Sequence, residues 1–149
     1  MEVNEFKLAL WNITREITEN INQIFYPIAE RYGLTLMQIQ LLLNLLQDEE
    51  HTIGSLGKCM RMAGGNISNL CKKLEKEGFV ERCRNVNDER VVIVTLSAKG
   101  RQTISEIDRA IDRKYELLLE KYAEESLTEI VSGLKRLNLL LERISTLDD

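Results

Sequence analysis

The stretch ISNLCKKLEKEGFVERCRNVNDERVVIVTLSAKG, residues 67–100, predicts a helix followed by a β-hairpin in the middle of the chain. In its first part the apolar residues recur on one helical face, and Gly78 is of the type that commonly ends a helix. Val91–Leu96 is β-branched and apolar, and we expect it to pair with a strand over Phe79–Val86. The polar residues between these two strands, 85–90, indicate an extended turn.

A second, shorter helix is predicted just before this stretch. Thr52 is a suitable N-cap for a helix over residues 53–60, which a brief turn at 61–64 joins to the helix over 65–77. Two short helices joined by a tight turn form a helix-turn-helix, and a hairpin directly after the second helix makes it a winged helix.

Further helices are predicted on both sides of the winged helix. Apolar periodicity and capping residues place them over 4–31, over 36–47 after the capping box Thr35–Gln38, from Ser97 onward and from the capping box Ser126–Glu129 onward. The last helix has the heptad seam of a coiled-coil-like contact, namely Leu127, Ile130, Leu134, Leu137, Leu141 and Ile144. We therefore expect a mainly α fold with a small β wing, a winged-helix region over 34–100, and helical dimerisation segments over 1–33 and 101–149.

Composition indicates an ordinary globular protein. The chain has 149 residues, of which 44% are hydrophobic and 30% charged, and no apolar run approaches the length of a membrane span. The acidic N-terminus lacks the basic start of a signal peptide, so we expect a cytoplasmic protein without a membrane partner. Its three cysteines and one histidine form no metal-binding pattern, and we predict no metal and no cofactor.

Charge is distributed unevenly along the chain. Residues 51–101 carry ten Lys and Arg and five Asp and Glu, a net charge of +5, whereas the rest carries ten and nineteen, a net charge of −9. Charge alone leaves chance clustering and a local polyanion-binding surface about equally favoured.

The pattern of the predicted helix over 65–77 favours DNA as the polyanion. Its N-terminal half offers small polar side chains that can reach base edges in the major groove, and its lysines can reach phosphates. Arg90 at the hairpin tip would enter the adjacent minor groove, and Asp88 would hold its guanidinium by a charge-assisted hydrogen bond. The candidate DNA contacts are Gly65, Asn66, Ser68, Asn69, Lys72, Lys73, Lys76, Arg84, Asp88 and Arg90.

Over nearly its whole length the chain resembles the multiple-antibiotic-resistance regulator (MarR) family of bacterial winged-helix repressors. YGLTLMQIQLLLNL (32–45) is similar to the segment that opens that family's second helix, ISNLCKKLEKEGFVER (67–82) to its recognition helix and first wing strand, and DERVVIVTLSAKG (88–100) to its Asp-x-Arg wing motif. Three departures are Leu36, Arg61 and Ala63–Gly65, which stand where the family usually has Pro, Gly and a Ser cap.

The resemblance implies a homodimeric transcriptional regulator, most often a repressor, on a pseudo-palindromic DNA operator. Related repressors release DNA when a small aromatic or phenolic effector binds between the dimerisation helices and the DNA-reading part. In this chain the resemblance implies a cleft lined from the first, second and fifth helices, with Trp11, Tyr26, Arg31 and Tyr32 as candidate linings. Core packing is the competing interpretation of each aromatic side chain.

Three other functions compete with this one. A thiol-based redox-sensing regulator is one alternative, since Cys59, Cys71 and Cys83 are available, although Cys71 is predicted to pack under the recognition helix. A winged helix used only for protein–protein contacts is another, which the lysines of the helix over 65–77 and the Asp-x-Arg tip disfavour. An enzyme is the least favoured, because no nucleophile–base motif or phosphate loop is present.

Overall fold

Six α-helices and three β-strands make up residues 1–122 and 124–147, the part of the chain that this computed structural model describes. In chain order they are α1 (Val3–Tyr32), α2 (Leu36–Gln47), β1 (Glu50–Thr52), α3 (Ile53–Met60), α4 (Gly64–Lys76), β2 (Val80–Arg84), β3 (Val92–Leu96), α5 (Ala98–Leu119) and α6 (Glu124–Ser145). The prediction of a mainly α fold with a small β wing is confirmed.

The predicted N-caps of the helices around the wing are confirmed. The Thr35 hydroxyl accepts the backbone N–H of Gln38, and the Gln38 side chain accepts the N–H of Thr35, which completes the capping box of α2. The Thr52 hydroxyl accepts the N–H of Ser55 and so caps α3, and the Ser97 hydroxyl accepts the N–H of Gly100 at the start of α5. These bonds satisfy helix-end donors that would otherwise lack a partner.

The sheet contains one strand that the sequence did not predict. No strand was predicted between the helices over 36–47 and 53–60, but β1 pairs antiparallel with β3 there, so that the strand order is β1-β3-β2. In this register His51 lies opposite Val94, and Arg82 of β2 lies opposite Val94 on the other side. β1 is only three residues long, which is too short for alternation to be recognised, and β3 supplies its hydrogen bonds.

The start of the last helix also differs from the prediction. α6 begins at Glu124, so Ser126 is a residue of its first turn and not its N-cap. The Thr128 hydroxyl donates to the carbonyl of Glu124, four residues earlier. Ser and Thr hydroxyls bond to the backbone in both settings, donating to a carbonyl within a helix and accepting an N–H at an N-cap, and the same residue types therefore produced a false capping signal.

The chain divides into two compact units, Met1–Ile111 and Asp112–Asp149. The first unit holds the hydrophobic core, whose fully buried side chains include Leu42, Leu56 and Ile104. In the second unit, α6 has no buried residue within the described range and exposes Ile130, Leu134, Leu141 and Ile144 along the predicted seam. None of the helices in the described part of the chain has both the length and the apolar character that a membrane span requires.

Candidate nucleic-acid interface

Helix α4 is amphipathic, and its buried side fixes which side chains point outward. Ile67, Cys71 and Leu74 are 0% exposed in the core. The opposite side exposes a basic stripe, which consists of Asn69, Lys72, Lys73 and Lys76. The predicted division of this helix into an apolar and a basic face is therefore confirmed.

The first turn of α4 is open to the surroundings. Its N-cap, Ala63, has no side chain that could accept a hydrogen bond, and Gly64 and Gly65 have nothing within 4 Å of where a Cβ would lie. The first N–H groups of a helix have no acceptor within the helix, and they carry the positive end of its dipole. Asn66 is exposed beside them, whereas Ser68 is half-buried at the edge of the basic stripe. This end of α4 suits a phosphate or a base edge.

The turn between α3 and α4 contains an arginine, Arg61, at the position where the MarR family usually has glycine. Arg61 has φ 51°, the left-handed region, and is the one non-glycine residue with positive φ among the residues described. Its N–H and that of Met62 bond to carbonyls of the last turn of α3, at Lys58 and Gly57 respectively. The left-handed conformation costs an L-residue about 1–2 kcal/mol, which the packing of α3 against α4 must offset.

The wing tip is held by side-chain-to-backbone hydrogen bonds. Asn85 Oδ1 accepts the N–H of Asn87 at 2.8 Å, and Asp88 Oδ1 accepts the N–H of Arg90 at 3.0 Å. The backbone N–H of Asn85 donates to the carbonyl of Val91 at 2.8 Å and closes the loop. These are Asx turns, in which a short polar side chain substitutes for a backbone acceptor.

The predicted role of Asp88 changes accordingly. The prediction that Asp88 holds the guanidinium of Arg90 is wrong, because the Asp88 carboxylate accepts the backbone N–H of Arg90 instead. An acceptor two residues before a donor favours the compact Asx turn over a reach along the whole arginine side chain. The Arg90 side chain is exposed at the tip, as is Arg84 at the end of β2, while Val86 between them is 98% exposed.

An ion pair that was not predicted joins the wing to α4. Arg82 Nη1 lies 3.1 Å from Glu75 Oε2, and the two side chains are 18% and 43% exposed. Strand alternation places Val80, Arg82 and Arg84 on one side of β2, and the buried Val80 marks it as the side toward the core. This alternation was the signal that could have identified Arg82 as a residue on the core side of the sheet.

The candidate effector-binding residues do not come together in one place. Tyr26 lines a cavity of about 780 Å³ that α1, α2 and their connection form, with Ala29, Glu30, Leu34, Thr35, Leu36 and Met37. Trp11 is 78% exposed and lies fifteen residues earlier on α1, about 22 Å along the helix axis.

The other two candidates, Tyr32 and Arg31, are not in the wall of this cavity. The Tyr32 hydroxyl donates to Glu106 Oε2 at 3.4 Å, and its ring lies 6.0 Å from the Arg31 guanidinium carbon. Tyr32 is half-buried and packs against the core, which agrees with the core-packing interpretation for this side chain.

The three thiols differ in their surroundings. Cys59 at the end of α3 and Cys83 on β2 are exposed, whereas Cys71 is buried under α4, as predicted. Burial raises the pKa of the Cys71 thiol to about 11, while the Arg82 guanidinium opposes this shift and the Glu75 carboxylate adds to it. Cys83 shares its side of β2 with the exposed Glu81, which settles the strand face that the sequence left open.

Comparisons with the sequences of known proteins match this chain to transcriptional regulators. The family model described as transcriptional regulator SarA/Rot matches residues 23–107. The chain is 27% identical over 132 residues to the organic hydroperoxide resistance transcriptional regulator of Bacillus subtilis (strain 168), a match that covers 88% of this chain and 85% of that relative.

Solved structures share the fold. The structure of reduced AbfR bound to DNA aligns with a TM-score of 0.77 at 23% identity, over 97% of this chain and 99% of that one. NadR in complex with 4-hydroxyphenylacetate aligns with a TM-score of 0.71 at 23% identity, over 83% of this chain and 88% of that one. At these identities the alignments establish a common architecture, and the bound DNA and ligand belong to those proteins.

The thiol environments predict two cysteines that react readily in the native protein and one that does not. At about pH 8 we expect Ellman's reagent to modify Cys59 and Cys83 rapidly in the native protein and Cys71 only after denaturation, because the thiolate is the reactive form. The control Cys71→Ala should leave the native count unchanged and lower the denatured count by one. Rapid reaction of all three thiols in the native protein would contradict the buried, protonated state of Cys71.

Proposed function

The chain belongs to the SarA/Rot family of transcriptional regulators and is a winged-helix protein of the MarR type, and from this premise we propose that it binds a specific DNA operator as a homodimeric repressor. It is a regulator and not an enzyme. The observation that carries the DNA part of the proposal is the exposed basic stripe of α4, which the buried face of the same helix turns outward.

The proposed DNA contacts divide between two grooves. The exposed first turn of α4, with Asn66 and Asn69, suits base edges in the major groove, and Lys72, Lys73 and Lys76 suit the flanking phosphates. Arg90, on a tip that two Asx turns hold, suits the adjacent minor groove. Gly65, Ser68 and Arg84 complete the set at the rim of this surface.

The homodimer is supported by apolar surface that the single chain leaves uncovered. α1 exposes Ile13, Ile17 and Ile21 along one side, and α6 exposes a seam that includes Leu134 and Ile144. Contiguous apolar faces of this length mark an interaction surface, and heptad spacing suits a second helix. Two copies would present two α4 helices to a pseudo-palindromic operator.

We also propose that a small aromatic effector releases the operator by binding in the cavity between α1 and α2. The cavity wall combines apolar side chains with the Tyr26 ring and the Thr35 hydroxyl, which suits an amphipathic ring. The ligand of NadR, 4-hydroxyphenylacetate, is a molecule of this class bound to a protein of the same fold. Of the four effector-binding residues predicted from the sequence, Tyr26 is the one in the wall of this cavity.

A thiol-based mechanism is the second candidate. One relative is named as a regulator of organic hydroperoxide resistance, which favours a response to oxidation, and this chain has two exposed thiols. Cys59 lies on α3 and Cys83 on β2, so oxidation of either would modify the winged helix directly. Loss of operator binding on mild peroxide treatment, abolished by Cys59→Ser or Cys83→Ser, would favour this mechanism over effector release.

Selection of binding sites from random DNA, followed by titrations at several salt concentrations, tests the DNA proposal. Lys72→Ala should weaken binding to all sequences and reduce the salt slope by roughly one, because one phosphate contact is lost. Asn69→Ala should relax sequence preference, by roughly 1–3 kcal/mol for a good base contact. Lys135→Ala on α6 is the control and should change neither. Failure of the wild-type protein to enrich any sequence would contradict the proposal.

The wing is tested by two substitutions at one position. Asp88→Ala removes the acceptor for the Arg90 N–H and should weaken operator binding by about 1 kcal/mol, whereas Asp88→Asn keeps an Oδ1 acceptor and should bind at least as well as wild type. Arg90→Ala should lower affinity while major-groove preference is kept. If Asp88→Ala costs as much in the Arg90→Ala background as it does alone, then Asp88 does not position Arg90.

The dimer is tested by placing one charge in the seam of α6. Leu134→Asp should shift the protein to monomer in sedimentation velocity at roughly micromolar concentration, because an unpaired carboxylate would be buried in an apolar contact. Ser132→Asp, on the opposite face of α6, is the matched control and should remain dimeric. A monomeric wild-type protein, or a dimeric Leu134→Asp variant, would overturn the assignment of this seam.

A further inference from the structure

Glu75 is the one acidic residue of α4, and it lies at the margin of the basic stripe. On a helix its neighbours at three and four residues earlier are Lys72, which is exposed, and Cys71, which is buried. The Glu75 side chain is 43% exposed and so stands between the core and the surface that the proposed function assigns to DNA. An unpaired carboxylate at this place would repel the phosphates that the lysines attract.

Arg82 is placed to cancel that charge. Its guanidinium lies 3.1 Å from the Glu75 carboxylate, and its side chain is only 18% exposed because it reaches across from β2 toward α4. Directly opposite it on β3 is Val94, which is 0% exposed. The Arg82 Nε–H is buried and has no hydrogen-bond acceptor. The guanidinium therefore occupies this position although one of its donors is left without a hydrogen bond.

We propose that Arg82 is a positioning residue for DNA recognition, which neutralises Glu75 at the margin of the basic stripe and ties the wing strand to α4. The inference rests on the proposed function, since it concerns how that surface is kept free of repulsive charge. It assigns Arg82 no contact with DNA. The ion pair spans the two elements that would enter neighbouring grooves, so it also fixes their relative position.

The proposal predicts that removing the charge of Arg82 and removing the charge of Glu75 have opposite effects on DNA affinity. Removing Arg82 leaves Glu75 unpaired beside the phosphates, whereas removing the Glu75 charge leaves an additional cation there. A stability role alone would make both substitutions act in the same direction. A role of Glu75 as a base-contacting acceptor would make Glu75→Gln the more damaging of the two.

The experiment measures affinity for the operator selected by the wild-type protein, by fluorescence anisotropy, with the melting temperature of each variant as a folding control. Arg82→Met keeps the length of the aliphatic side chain without the charge and should bind about tenfold more weakly. Glu75→Gln should bind as well as wild type or better. The double variant should recover to within about threefold of wild type, because no carboxylate remains to repel DNA.

Arg82→Lys keeps the positive charge and tests the proposal if Arg82→Met does not fold. It should retain at least about a third of wild-type affinity, while a role that depends on arginine geometry at DNA itself would lose more. A double variant as weak as Arg82→Met, a weakened Glu75→Gln, or an Arg82→Met protein that binds like wild type would each overturn the inference and leave the proposed function standing. If the wild-type protein selects no operator, both fall together.

Discussion

The rotation of α4 about its own axis is fixed by the burial of Ile67, Cys71 and Leu74, and the rest of the candidate site depends on that rotation. Ile67 and Leu74 would each lose about 1.5–3 kcal/mol if they were turned into water, whereas the exposed lysines opposite them lose little wherever they point. The core therefore determines which face is presented outward, and the basic stripe follows from it. The same burial raises the pKa of the Cys71 thiol, and the same rotation leaves Glu75 at a place where Arg82 pairs with it.

Local chemistry explains why much of the fold could be predicted from the sequence. Thr35, Thr52 and Ser97 each cap a helix through a bond to an N–H three residues later, so the signal and its consequence lie within one turn. The recognition helix was predictable because its two faces differ in chemistry at a 3.6-residue period. Ser126 had the same local signal, but α6 had already begun at Glu124, and the cap that was predicted there does not form.

The features that the sequence did not reveal depend on residues far apart in the chain. β1 becomes a strand because β3, more than forty residues later, offers hydrogen bonds to Glu50 and its neighbours. The partner of Arg82 could not be identified from the sequence alone, because alternation along β2 gives a side of the sheet and not a neighbour. At the wing tip the error was one of chemistry, since Asp88 can bind a nearby N–H as readily as a distant guanidinium.

One buried polar residue connects the proposed effector cavity to α4. Gln38 is 1% exposed, and its carbonyl oxygen accepts the Thr35 N–H in the wall of that cavity, while its Nε2 donates to Glu77 Oε2 at 3.2 Å. Glu77 is the C-cap of α4. A buried amide that loses a partner costs about 1–3 kcal/mol, so the first turn of α2 and the end of α4 are favoured to move together. That is comparable to a typical coupling free energy between two sites, which is the size of coupling that the proposed release of the operator by an effector requires.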